Sequence, residues 1–328
     1  MATLFLDRAG LDIRADGNAL ALYENGERTR TLPMRLLERV IVQGARTRLD
    51  SGVLIKLAEA GVATILLSPR MSRQVAIVLG PAHNDAAVRL AQSQRVLDAA
   101  YCRQWAAHIV TAKLQRQHRL LTQAETLRPD QRKALGDARE SVARVLDEAR
   151  SGTADPTRLR GLEGSGARAY FGGFCALFAP DLAFSGRNRR PPRDPVNACL
   201  SLAYTLLHFE AVRAAHMAGL DPLLGFYHRP AVGRESLACD LIEPLRPLAD
   251  KWLWRQFATR RLRGEHFTND RGACLLGKAG RSHFYADWES FARLPRRWLR
   301  TACARLAADM RGHGEAWLHI IDDTGEAF

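Results

Sequence analysis

Between Ala82 and Arg128 the chain carries neither glycine nor proline, and the stretch is dense in Ala, Leu, Gln and Arg. It lacks the two residues that cost most inside a helix, so it predicts one long helix or a helix pair. The residues before it are patterned differently. Thr3–Leu6, Ala19–Tyr23 and Val40–Val42 read as short strands, with the Asp16-Gly17 turn pair ahead of the second. Val53, Leu54, Leu57 and Ala58 fall at helical spacing, which predicts a helix capped by Ser51, running to about Ala60 and stopped by Gly61. Val62–Leu67 and Val75–Leu79 read as two further strands around a Ser-Pro turn. The style changes at Gly80-Pro81. The expected fold class is therefore α+β, with a small N-terminal β-rich domain over residues 1–81 and a larger all-α domain over residues 82–328. Asp194-Pro195 is a strong helix start, Asp as cap and Pro at the first helical position. From Glu265 to Tyr285 the pattern loosens toward loop or a small hairpin. A final helix is expected from about Arg296 to Met310, fraying after Gly312.

Lys and Arg number 48 against 35 Asp and Glu, a formal net charge of +13. That excess points to a polyanion, either nucleic acid or an anionic membrane surface. No apolar run approaches the ~18 residues that a membrane span needs. Asp7 and Arg8 interrupt the start before an apolar signal region can form, so no secretory signal is expected. A nucleic-acid-facing protein leads. The six cysteines form no Cys-x-x-Cys pair, which removes support for a zinc knuckle or a thioredoxin-like motif. Reduced thiols in the cytoplasm are the expectation.

Four segments could carry chemistry. In Ser236-Leu-Ala-Cys-Asp-Leu-Ile-Glu-Pro-Leu-Arg-Pro247, the acids Asp240 and Glu243 stand three apart and share one helical face among apolar neighbours. Burying them costs several kcal/mol unless a cation or donor compensates. A salt bridge to Arg246, a dipole-favoured helix turn and metal binding are all open readings. Upstream, Gly225-Phe-Tyr-His228 delivers a histidine into that helix, and one His beside two acids suits Mn²⁺ or Mg²⁺. The alternative is a loop histidine bonded to backbone. Glu163 lies in Gly161-Leu-Glu-Gly-Ser-Gly-Ala167, where the glycines require another helix or a phosphate to approach closely. The loop Arg187-Asn-Arg189-Arg190-Pro-Pro-Arg193 sets four arginines on a stiff frame, suited to phosphates or simply solvated. A second cluster, Arg293, Arg296, Arg297 and Arg300, reads as a solvated helix face. Trp252 and Trp254 read as core and interface rather than base-stacking platforms. Gly277-Lys-Ala-Gly280 lacks the rest of a phosphate-binding P-loop.

Taken in order, Glu163 in LEGSGARAYF, the RNRRPPRDPVNACLSLAYTLL segment, His228 in GFYH and then SLACDLIEPLRP resemble the CRISPR adaptation integrases, the family of CRISPR-associated protein one. Leu32-Pro33 leading to Val40-Ile41-Val42, VATILLS, Arg89-Leu90-Ala91-Gln92 and Ala112-Lys113-Leu114-Gln115 extend the resemblance over about residues 3 to 310. The resemblance implies a metal-dependent DNA integrase or endonuclease that joins short DNA fragments (spacers) into a repeat array by 3′-hydroxyl attack on phosphodiesters. It implies Glu163, His228 and Glu243 as ligands of Mg²⁺ or Mn²⁺, with Asp240 as a further catalytic acid. It also implies a homodimer, double-stranded DNA (prespacer and repeat array) as partner, and a complex with the small CRISPR-associated protein two. Arg187, Arg189, Arg190 and Arg193 are the candidate DNA contacts. Two other readings stand beside it: a stand-alone nuclease selective for DNA structure, and a non-catalytic DNA-binding scaffold whose acids are structural.

Overall fold

The computed structural model describes residues 2–43, 46–68, 74–80, 85–151, 155–188 and 191–323. Two compact units divide the chain: Met1–Ala82 with Gly277–Ser290, and His83–Leu276 with Phe291–Phe328.

The first unit is built from β1 (Ala2–Leu6), β2 (Leu11–Asp16), β3 (Ala19–Glu24), β4 (Glu27–Pro33), β5 (Leu37–Val42), β6 (Arg48–Leu49), α1 (Ser51–Glu59), β7 (Ala63–Leu67) and β8 (Gln74–Val78). One sheet has the order β4-β3-β2-β6, the other β1-β5-β7-β8. In the second, β1, β5 and β7 run parallel and β8 antiparallel. Leu4, Leu6, Ile13, Leu20, Val40, Val53 and Leu57 belong to one buried core cluster. Three strands, β2, β4 and the two-residue β6, go beyond the sequence expectation. β2 carries Leu11, Ile13 and Ala15 in alternation, a signal that was present. β4 is exposed along nearly all its length, so no apolar period marks it. Its register follows instead from Asn25-Gly26, whose φ values of 53° and 87° form a two-residue turn between the paired Glu24 and Glu27. The cap of α1 is Asp50 rather than Ser51: Asp50 Oδ1 accepts from Val53 N at 2.8 Å.

The second unit holds α2 (Ala86–Leu97), α3 (Ala99–Leu127), α4 (Arg132–Arg150), α5 (Pro156–Cys175), α6 (Pro195–Met217), α7 (Ser236–Ile242), α8 (Arg246–Ala258), the strands β9 (Phe267–Asp270) and β10 (Ala273–Leu276), and most of α9 (Lys278–Asp323). The stretch without breakers is a helix pair. Asp98 separates its halves by accepting from Ala100 N and Tyr101 N, which caps α3. Asp194 caps α6 as expected, bonding Asn197 N at 2.8 Å. The β9–β10 hairpin falls where the pattern loosens, so this part is helical with one small hairpin. Among the described residues no helix is long and apolar enough to cross a membrane.

Two expectations are corrected. The last helix starts at Lys278, not near Arg296, and continues through Pro295 and past Gly312 to Asp323. A proline inside a helix costs about 3 kcal/mol; burial of Phe284 and Trp288 before it, and of Leu299, Cys303 and Met310 after it, offsets that cost. The first part of this helix also folds with the β-rich unit instead of the helical one. The Tyr285 ring stacks on Phe5 at 4.1 Å, and its hydroxyl donates to Gln43 Oε1 at 2.6 Å.

Candidate metal centre

The glycines of α5 admit other helices. A Cβ on Gly166 would lie 2.4 Å from Leu114 Cδ2 of α3, and one on Gly173 would lie 2.5 Å from Ala138 Cβ of α4. Around Gly161 and Gly164 there is open space. Close helix packing thus accounts for Gly166 and Gly173, and it brings Glu163 of α5 against α3. There Lys113 Nζ donates to Glu163 Oε1, and Tyr227 OH donates to Glu163 Oε2 at 2.6 Å.

Glu243 follows α7 directly and is 2% exposed. Its Oε2 lies 2.6 Å from the same Lys113 ammonium, and its Oε1 lies 3.0 Å from Arg246 Nη2. Burial alone would push the Glu243 carboxyl up; the Arg246 and Lys113 charges outweigh it and hold the group well below the usual carboxylate range. For Lys113 burial works downward, and Glu243 and Glu163 overcome it, raising the ammonium above its ordinary value. The salt bridge to Arg246 is therefore present, but it does not exhaust the acid.

Asp240 is fully buried and is consumed by four donors. Its Oδ2 accepts from Phe226 N (2.8 Å) and Tyr227 N (2.9 Å), its Oδ1 from His228 N (2.8 Å), and the same Oδ1 holds His228 Nδ1 at 2.7 Å. Gly225 permits this loop, because a Cβ there would come within 2.5 Å of the Ser236 backbone. With Nδ1 donating to a carboxylate, the imidazole keeps a lone pair on Nε2. That nitrogen lies 4.0 Å from Glu243 Oε1. Asp240 is thus a positioning residue rather than an open ligand.

Glu163 and Glu243 meet at Lys113, and His228 Nε2 approaches Glu243 alone; two carboxylates and an imidazole are donor types that suit a hard divalent cation. Among the described residues no three such side chains close into a metal cage as they stand. The cation between the two glutamates is Lys113, which shows that the carboxylate pair draws positive charge to that point. The sequence reading quoted Lys113 only as part of a motif, and it gave no role to Tyr227. Both are legible only once α3, α5 and the loop before α7 are brought together.

Behind Arg246 lies a second polar layer. The Arg246 guanidinium sits 5.0 Å from the Tyr204 ring centroid. Tyr204 OH and Tyr170 OH donate to Asp250 at 2.6 and 2.9 Å. Burial pushes the Asp250 carboxyl up to about 6, against these two bonds. Arg187, one of the candidate DNA contacts, is engaged in this layer. Its guanidinium donates to Asn197 Oδ1 (2.7 Å) and Ser201 Oγ (3.1 Å) and lies 5.4 Å from the Tyr204 ring. Arg193 is exposed; Arg189 and Arg190 lie outside the described residues. In α9, Arg296 is buried and pairs with Glu210 at 2.8 Å, whereas Arg293, Arg297 and Arg300 are exposed. Trp254 is 5% exposed and Trp252 stacks on Phe291 at 5.3 Å, in keeping with packing roles.

The profile of the family described as CRISPR associated protein Cas1 matches residues 4–290. The chain belongs to the Cas1 family. A curated relative, "CRISPR-associated endonuclease Cas1 1" of Thermodesulfovibrio yellowstonii, is 35% identical over 302 residues, 90% of this chain and 93% of that one. Among solved structures, a casposase bound to integration product has a TM-score of 0.82 at 19% identity, covering 94% of this chain and 91% of that one. A Cas6-RT-Cas1–Cas2 complex has a TM-score of 0.79 at 22% identity, covering 95% of this chain and 35% of that one. At these identities the two structures speak for the Cas1 fold alone.

Proposed function

We propose that this Cas1 protein is a divalent-metal-dependent DNA integrase and endonuclease of CRISPR adaptation, with Glu163, His228 and Glu243 as ligands of Mg²⁺ or Mn²⁺. The observation that carries the reading is that Glu163 and Glu243 share one buried cation, while the Nε2 of His228, whose ring Asp240 fixes, lies 4.0 Å from the other oxygen of Glu243. A bound divalent ion would polarise the scissile phosphate and lower the pKa of the attacking hydroxyl. The rest falls to the chain itself. Asp240 sets the histidine ring and its tautomer, Arg246 keeps Glu243 ionised, and Tyr227 holds the second oxygen of Glu163. A DNA 3′-hydroxyl attacking a phosphodiester forms one phosphodiester as another breaks, so joining needs no ATP. Water in place of that hydroxyl gives hydrolysis, the nuclease outcome.

The relative's designation as an endonuclease and the casposase's integration product support this chemistry. The Cas1–Cas2 complex supports a small CRISPR-associated protein two as partner, and the net charge of +13 supports double-stranded DNA. The test is strand joining and cleavage by purified Glu163→Gln, His228→Ala and Glu243→Gln variants, with and without Mg²⁺ or Mn²⁺. Each should lose both activities, as should the wild type in EDTA, while duplex binding persists. Wild-type-like joining by any one variant removes that residue from the ligand set. Joining that survives EDTA overturns the metal dependence, and duplex binding without joining or cleavage under either metal leaves the acids as structural parts of a DNA-binding protein.

A further inference from the structure

Lys113 stands between the two glutamates proposed to hold the divalent ion. Its side chain is 8% exposed, and its ammonium contacts both glutamates of the proposed ligand set. A buried ammonium held by two carboxylates must be displaced or outweighed before a second cation enters. The formal charges make the point sharper. Glu163, Asp240 and Glu243 contribute −3, Lys113 and Arg246 contribute +2, and the cluster is left at −1. A divalent ion alone would take it to +1 in a poorly solvated place. One DNA phosphodiester arriving with the ion would bring it to zero.

We propose that Lys113 couples metal loading to DNA binding: it holds the two glutamates together in the empty site and disfavours a divalent ion until a phosphate arrives to share the charge. The inference rests on the metal-site reading above. It makes Lys113 a positioning residue that acts through the glutamates, and it makes substrate and metal bind with positive cooperativity.

Mn²⁺ itself is the probe, followed through the paramagnetic resonance signal of the free hydrated ion. It is titrated into the full chain with and without a short duplex. The same titration of Glu163→Gln with that duplex gives the Mn²⁺ held by phosphates and by a site that has lost one ligand. The wild type should bind Mn²⁺ about tenfold or more tightly with DNA than without it. Lys113→Met should bind Mn²⁺ more tightly than the wild type in the absence of DNA and lose most of the DNA dependence. Lys113→Arg, which keeps the charge, should retain that dependence. Equal wild-type affinity with and without DNA overturns the inference, and this comparison stands even if Lys113→Met fails to fold. A folded Lys113→Met whose DNA-free affinity is no higher than wild type overturns it as well. If wild type and Glu163→Gln hold Mn²⁺ alike, the metal-site reading fails, and the inference falls with it.

Discussion

Asp240 and His228 are direct neighbours, yet their substitutions should behave differently. Asp240→Ala would strand three backbone N–H groups, two of them buried, and free the imidazole at once. Its expected cost is about 3 kcal/mol of stability in addition to lost activity. His228→Ala leaves the three backbone bonds to Asp240 in place, and its urea midpoint should stay much closer to wild type. Equal destabilisation by the two would mean that Asp240 has no special hold on the loop. The arginines of the Arg187–Arg193 loop should divide in the same manner. Arg193→Ala, at an exposed position, should reduce the slope of log affinity against log salt by about 1. Arg187→Ala should instead lower the melting temperature, because its guanidinium is bonded to Asn197 and Ser201. A slope change from Arg187→Ala without loss of stability would return that residue to the DNA path.

Helix contacts set two further expectations. At Gly166 an added methyl meets the tip of Leu114, which can rotate; at Gly173 it meets Ala138 Cβ at 2.5 Å and Ala134 O at 3.3 Å, which cannot. Gly173→Ala should therefore cost more stability than Gly166→Ala, by about 1–3 kcal/mol, measured by denaturant unfolding. The link between α6 and the start of α7 is titratable. His208 Nε2 lies 2.5 Å from the carboxylate of Glu235, the residue at the N-cap of α7. Burial alone would lower the His208 pKa; hydrogen bonds with Cys239 and Glu235 outweigh it and raise the group from 6.5 to about 9. The folded chain thus holds this proton more tightly than the unfolded chain does. Its contribution, on the order of 2 kcal/mol, is complete below about pH 6.5 and lost as the pH rises through about 9. The urea midpoint should fall over that interval in the wild type and less so in His208→Gln. A parallel decline in both would assign the pH dependence to other groups.

For the whole molecule, the β-rich unit is the proposed homodimer contact. The strand β4 closes one end of its sheet and is exposed along nearly its whole length, and an open strand edge must be paired or covered. Along a strand N–H directions alternate, so one of the neighbours Arg30 and Thr31 turns its N–H outward. Sedimentation should give a dimer for the full chain. Proline at the outward position of the two should weaken that dimer, since it removes a donor from the edge. An unchanged dimer from both proline variants would move the interface to another surface.

By itself the sequence determined the fold class of this protein, a β-rich start followed by a larger helical part. Local rules suffice for a β-rich start, the helix pair after Gly80, the Asp194-Pro195 cap and the glycine-marked α5, because each depends on residues a few positions apart. Order along the chain was enough to show the likeness to the Cas1 family, and with it to propose Glu163, His228, Asp240 and Glu243 as the site. Only the tertiary structure decided how those residues divide the work. Asp240 became the anchor of a loop because three consecutive N–H groups turn toward it. Arg187 turned inward because Asn197 and Ser201 lie on the facing side of α6. Lys113, fifty residues from Glu163 and far from Glu243 in the chain, meets both only because α3 packs against α5 at Gly166. The segment Gly277–Ser290 likewise joined the first unit through Phe5 and Gln43. Charge pairing and ring stacking depend on distance in space, and spacing along a chain does not encode that distance once it exceeds a few helical turns.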